Sequence, residues 1–402
     1  MRAIAPDIRR EIEVGGLVAF AHLLSHFYML VLPPLFPVFR RELGVGYIEL
    51  GLAVTAFSVT TGALQTPMGF LVNKIGGRKV LIGGLFLNAG AIALAGFVTA
   101  YWQLIALMLL AGVGSSVFHP ADYSILNARV NVQRLGRALS FHTLGGNLGF
   151  VLAPPTMLAL TSLFDWRIAL FAVGGVGVAL AFVMLVLSGV IGEGGMGARR
   201  ASDSWRKLAT SPTIMLLFAF YALSSVANCG VVYFSVVAFK DIYGLTAATA
   251  SAALTAYQVM SMIAVLPGGW LADKVEDHEM FLAASFLCSG AVLVFAGLGY
   301  VPFWAAVVCV GLSGGLRGIV NASRDVSVRH AAKDVSVGTL FAFVTTGFAG
   351  GQIVGPTLYG WLLDAGHPRF VLFASAAFST LAIATMMTGR FRRRSAALAP
   401  GQ

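Results

Sequence analysis

The chain has 402 residues, of which 58% are hydrophobic and 11% charged, and its formal net charge is +10. A soluble domain carries about 25% charged residues, so the composition excludes a soluble fold. The apolar residues come in long blocks, each reaching the ~20 residues that cross ~30 Å of hydrocarbon as a helix.

Twelve such blocks are predicted: 14–38, 47–72, 79–99, 102–124, 137–161, 167–191, 213–239, 245–268, 279–299, 303–323, 337–362 and 369–389. Backbone groups in lipid must be satisfied internally, so the blocks read as helices. With both termini placed in the cytoplasm, Arg40, Arg41, Arg167, Lys240 and Arg369 fall outside. Arg317 falls inside a span, and the rest of the 27 Lys and Arg lie on the cytoplasmic side. That asymmetry is the positive-inside pattern. The basic balance therefore reports orientation at an anionic leaflet, not nucleic-acid binding. The polar N-terminal arm shows no cleavable-signal pattern, and the first span is expected to stay in the mature protein. Cys229, Cys288 and Cys309 lie within spans and read as small core residues.

In the first span, His22 and His26 are four apart and share a helix face, with Ser25 beside them. Polar side chains here should point into protein or a watery cavity. Pro33, Pro34 and Pro37 end that span. The second span opens on Glu49, read as interfacial. It closes on the stretch Gly69-Phe70-Leu71-Val72-Asn73-Lys74, followed by Arg78 and Lys79. The same pattern, Gly269-Trp270-Leu271-Ala272-Asp273-Lys274, recurs 200 positions later. A recurrence at half the chain length means one plan used twice. The fourth span holds Gly112, Gly114, Ser115 and Ser116, then His119, Asp122 and Tyr123 at i, i+3, i+4. Asp122 is expected to pair with Arg78 or Lys79 and latch a gate. His119 reads equally as a packed histidine or a functional one.

The fifth span carries His142 near its inner end, then Gly145, Gly146, Asn147 and Gly149, and Pro154-Pro155. The eleventh has Gly350, Gly351 and Pro356 at matching spacing. Such glycines offer a close-packing face and such prolines a bend. Residues 192–212 are rich in Gly, Ser and charge and read as a solvated connector between residues 1–191 and 213–402. The seventh span carries Ser224, Ser225, Asn228, Cys229 and Tyr233, a polar stripe suited to a cavity wall. The tenth carries Arg317 and Asn321 on one face. A midspan charge costs roughly 2.5–3.5 kcal/mol even on a lenient scale, and arginine does not lose its proton. Arg317 must therefore meet a carboxylate, carbonyls, water or an anionic ligand.

The doubled Gly-x-Leu-small-Asn/Asp-Lys stretch resembles the signature loop of the major facilitator superfamily. Gly112-x-Gly114-Ser-Ser-Val-Phe-His119-Pro, His22-Leu-Leu and Gly145-Gly146-Asn147-x-Gly149 are similar to its fosmidomycin-resistance branch of proton-driven drug exporters. Three departures stand out. Met108 and Ala111 replace the Arg and Gln common in drug antiporters, Asn73 replaces the usual Asp of the loop, and His26 stands where the branch commonly has an Asp.

The resemblance implies an all-α membrane protein of twelve helices in two pseudo-symmetric six-helix bundles around a midplane cavity. Spans 1, 4, 7 and 10 should line it, placing His22, His26, His119, Asn228, Tyr233 and Arg317 around one volume. Asn73, Arg78, Asp122 and Asp273 are the expected gating residues. No phosphate-binding loop is present, so energy should come from a gradient. Histidine titrates within the range a proton gradient spans.

The leading expectation is proton-coupled export of a small organic compound, without cofactor or metal, by one chain in the inner membrane. The alternatives are uptake of an organic anion held by Arg317, and a divalent-metal carrier using the histidines. A membrane-bound enzyme has no supporting nucleophile–base constellation.

Overall fold

The computed structural model describes residues 6–193, 205–330 and 337–398, and every regular element among them is helical. Residues 194–204 of the expected connector 192–212 lie outside the described residues. Eleven stretches among the described residues are long and apolar enough to cross a membrane. The helix Val337–Asp364 occupies the place of the remaining expected span, the eleventh in chain order.

Contacts divide the chain into two compact units: Met1–Val45 with Leu52–Arg199, and Gly46–Gly51 with Arg200–Gln402. The first unit contains α1 (Pro6–Met29), α2 (Phe36–Leu43), α3 (Tyr47–Ile75, its first residues counted with the other unit), α4 (Gly77–Leu94), α5 (Tyr101–Ser115), α6 (Phe118–Arg129), α7 (Val132–Leu163) and α8 (Trp166–Val186). Within it α1 packs along α7, and α4 along α5 and α8. The second unit contains α9 (Pro212–Cys229), α10 (Ser235–Tyr243), α11 (Ala247–Ala272), α12 (His278–Gly297), α13 (Phe303–Ile319), α14 (Asn321–His330), α15 (Val337–Asp364) and α16 (Pro368–Leu398). There α9 packs on α15 and α16, α11 on α13, and α12 on α16.

Side chains that satisfy orphan amides start several helices. Asn131 accepts from the Gln133 N–H ahead of α7, and Asp165 from those of Arg167 and Ile168 ahead of α8. Asp277 does the same for Met280 at the start of α12. Its carboxylate also takes both guanidinium ends of Arg390 at 2.5 Å, tying α12 to the far end of α16. The proline-rich end of the first span becomes a single turn, Pro33–Leu35, before α2.

Two of the spans are irregular. The fourth span is broken: α5 ends at Ser115 and α6 begins at Phe118. Ser116 Oγ donates to the Val113 carbonyl at 2.7 Å, a back-bond that bends helices. Pro120 in the first turn of α6 supplies no amide of its own. The seventh span widens into a π turn over Gly230–Phe234, between α9 and α10. Gly230 there lies against Ser375 and Tyr359, with no room for a side chain. Of the three cysteines, Cys229 is buried and Cys288 is exposed on α12. The core reading therefore fails for Cys288.

Candidate functional site: a buried histidine–aspartate cluster

The turn pair His22 and His26 on α1 faces α7 across a stripe of glycines. A methyl at Gly146 would sit 2.9 Å from the His26 ring and 3.0 Å from that of His22. The absent side chain is what admits the imidazoles between the helices. His142 lies one turn before Gly146 on the same stripe, so α7 brings a third histidine to the same place. The break after Ser115 re-aims α6, which adds His119, Asp122 and Tyr123.

Asp122 is the centre, fully withdrawn from solvent, with His22 and His142 almost equally buried. Its Oδ2 lies 2.9 Å from His142 Nε2, within a hydrogen bond, and 3.1 Å from His22 Nδ1. The second contact is off the line of a hydrogen bond. His22 Nδ1, His26 Nδ1 and Asp122 Oδ1 are buried polar atoms without a hydrogen-bond partner among the described residues. The His22 and His142 rings stack at 3.7 Å between centroids. His26 is 4.4 Å and His119 5.2 Å from His22, ring to ring. Tyr123 closes the group at 5.5 Å from the His142 ring. His119 and Tyr123 are exposed, so the cluster has one open side. A carboxylate taken from water is tolerated only when paired and hydrogen-bonded, and here its partners are imidazoles, not a fixed cation.

The expected pair between Asp122 and Arg78 or Lys79 is not formed. Arg78 donates to the Ser188 carbonyl at 2.8 Å and pairs with Glu193, while Lys79 is exposed. The bend at Ser116 turns Asp122 inward among the rings. Arg78, in the first turn of α4, finds a carboxylate near the helix ends, where desolvation costs less. Asn73 and Asp273 are both exposed.

The structure thus unites His22, His26 and His119. It adds His142, which the sequence places near the span end without a role. The missed signal is the spacing His142, Gly146, Gly149: a stripe at i, i+4, i+7 marks the face that meets α1.

Asn228, Tyr233 and Arg317 lie in the second unit. Arg317 Nη2 donates to Ser379 Oγ at 2.6 Å, and its guanidinium lies 4.4 Å over the Phe286 ring. Among the described residues no carboxylate forms an ion pair with it. Asn228 is exposed and accepts from the Tyr257 hydroxyl at 3.0 Å. Tyr233 is buried inside the π turn.

The sequence profile of the Major Facilitator Superfamily matches residues 18–239 and 218–401. The probable L-galactonate transporter of Escherichia coli (strain K12) is 21% identical over 82% of this chain and 78% of its own. The fosmidomycin resistance protein of the same organism is 25% identical, but over 36% of each chain. A crystal structure of a bacterial homolog to the human lysosomal transporter Spinster, inward-facing and occupied, superposes with a TM-score of 0.81. It covers 97% of this chain and 98% of that one at 14% identity, a likeness of fold.

Proposed function

The chain belongs to the Major Facilitator Superfamily and carries small molecules across a membrane, and from that premise we propose that it is a proton-coupled exporter. It exchanges a small organic compound, a drug or metabolite, for protons by alternating access. It sits in the inner membrane with both termini cytoplasmic, as the distribution of Lys and Arg supports. It works as a single chain without a cofactor. The two loop copies, with Asn73 and Arg78 in one and Asp273 in the other, serve as hinges of the motion.

One observation carries the coupling. Four histidines and an aspartate are gathered in one unit, with His22, His142 and Asp122 buried, His26 half-buried and His119 at the open side, and with no lysine or arginine among them. Protons are therefore the exchangeable charge that sets the state of the cluster. Gaining or losing one changes a buried charge, worth several kcal/mol in a poorly hydrated site. A few kcal/mol is the scale that moves a two-state equilibrium from one side to the other.

The test is transport in proteoliposomes under an imposed pH gradient, with fosmidomycin as the first probe beside a panel of other drugs and organic acids. Protons should move with the probe in the wild type. His22→Gln and Asp122→Asn should lose gradient-driven transport while keeping substrate counterflow. A wild-type rate unchanged when the gradient is collapsed would sink the proton reading.

A second reading, uptake of an organic anion with protons, draws support from Arg317, whose guanidinium is oriented by Ser379 and Phe286 and, among the described residues, forms no ion pair with a carboxylate. The name of the L-galactonate relative points the same way. Import of a radiolabelled organic acid that fails in Arg317→Gln would favour it over export.

A further inference from the structure

His22 Nδ1, His142 Nε2 and Asp122 Oδ2 lie within 4.8 Å of one another, each on a buried side chain and each from a different helix. Two imidazoles and one carboxylate are a familiar donor set for divalent first-row metals, and one that leaves further positions open. The spacing narrows the class. Donor atoms ~2.1 Å from an ion lie ~3.0 Å apart when they meet it at a right angle, and ~3.4 Å apart at the tetrahedral angle. The two carboxylate-to-imidazole distances here are 2.9 and 3.1 Å, the right-angle value.

We propose that His22, Asp122 and His142 form a binding site for one divalent first-row transition ion of octahedral preference, such as Mn²⁺, Fe²⁺, Co²⁺ or Ni²⁺. Three further observations fit. His22 Nδ1 faces the carboxylate oxygen without a hydrogen bond, and Asp122 Oδ1 and His26 Nδ1 have no hydrogen-bond partner among the described residues; all three are buried polar atoms of ligating type. His26 and His119 stand next to His22 and can add a donor by turning a ring. The open side at His119 and Tyr123 gives an ion a way in.

The ion would occupy the lone pairs that protons occupy in the coupling cycle, so binding releases protons and weakens as pH falls. The titratable groups facing the site are His22 and His26 from α1, His119, Asp122 and Tyr123 from α6, and His142 from α7. This inference concerns equilibrium binding and is independent of whether protons drive transport. The two can fail separately.

The test uses the full chain without a polyhistidine tag, purified in detergent and stripped with chelator. Co²⁺ is titrated in by calorimetry at pH 7.5 and 5.5, and its visible absorption is recorded. One equivalent should bind at pH 7.5 with the weak absorption of a six-coordinate ion, proton release, and at least tenfold lower affinity at pH 5.5. Asp122→Asn and His142→Ala should each weaken binding at least tenfold, while His367→Ala, outside the cluster, should leave it unchanged. Because a loss variant can also lose its fold, His142→Cys supplies a gain of signal: a thiolate-to-cobalt charge-transfer band that wild type lacks. Three results would overturn the proposal: no wild-type binding tighter than millimolar, equal binding in Asp122→Asn, or no charge-transfer band from a folded His142→Cys.

Discussion

Asp122 and His142, twenty positions apart on two different helices, meet at 2.9 Å with neither side chain reaching solvent. The pair joins the α6 that continues the broken fourth span to the glycine stripe of α7, and His22 of α1 packs against both.

Because Asp122 answers to His142 and not to Arg78, their substitutions should act independently. Asp122→Asn should reduce pH-gradient-driven transport on the order of tenfold or more and flatten its pH profile. Arg78→Gln removes contacts to Ser188 and Glu193 and should leave that profile in place. The double mutant should show additive losses when expressed as free energies, as expected of residues that share no partner. Non-additivity, measured by initial rates in proteoliposomes, would mean that the two residues touch at some stage of the cycle.

Gly146 and Gly15 offer a controlled comparison on facing helices. A methyl at Gly146 collides with two imidazoles, whereas one at Gly15 meets nothing within 4 Å. Gly146→Ala should destabilise by roughly 1–3 kcal/mol through overpacking. Gly15→Ala should be neutral or stabilising by up to about 1 kcal/mol, since alanine favours the helix. Thermal unfolding of both variants in the same detergent reads the difference. Equal melting temperatures would show that the α1–α7 seam is looser than its geometry.

Arg317 tests the second reading of substrate class. If the cargo is an organic anion held there, Arg317→Gln should raise its apparent KM at least tenfold with no change in melting temperature. Arg317→Lys should not restore it, because an ammonium cannot reproduce the planar fork that reaches Ser379 while lying over Phe286. Full activity in the lysine variant would reduce the site to a point charge.

The orientation can be checked with single cysteines. Arg9→Cys near the start of α1 and Ser395→Cys near the end of α16 should react with an impermeant maleimide from the cytoplasmic face. His367→Cys, between α15 and α16, should react from the opposite face. Labelling of the first two from opposite faces would contradict an even number of crossings.

The fold was legible because its signal is repeated many times over: each apolar block crosses lipid only as a helix, and the loop at Asn73 returns at Asp273. The histidines on α1 were legible for the same reason, since a spacing of four needs nothing beyond helix geometry. What escaped depends on contacts between helices. Asp122 has Arg78 as an obvious charged complement in sequence, but the back-bond at Ser116 redirects its helix. His142 has a role only when Gly146 is seen as a gap for the rings of another helix. That Tyr233 lies in a wide turn is likewise something an α-helical wheel does not register.

That wide turn also sets the phase of the seventh span. A π turn is what an α-helix becomes when it must absorb one extra residue, and each residue in an α-helix advances the face by about 100°. The stretch ending at Cys229 and the stretch beginning at Ser235 therefore keep separate phases, each free to suit its own neighbours. Excising a single residue between Gly230 and Phe234 would restore an ordinary helix. Because the wide turn takes up the extra residue without advancing the face, α10 would keep its orientation, and Val236, Val237 and Phe239 the buried positions they hold now.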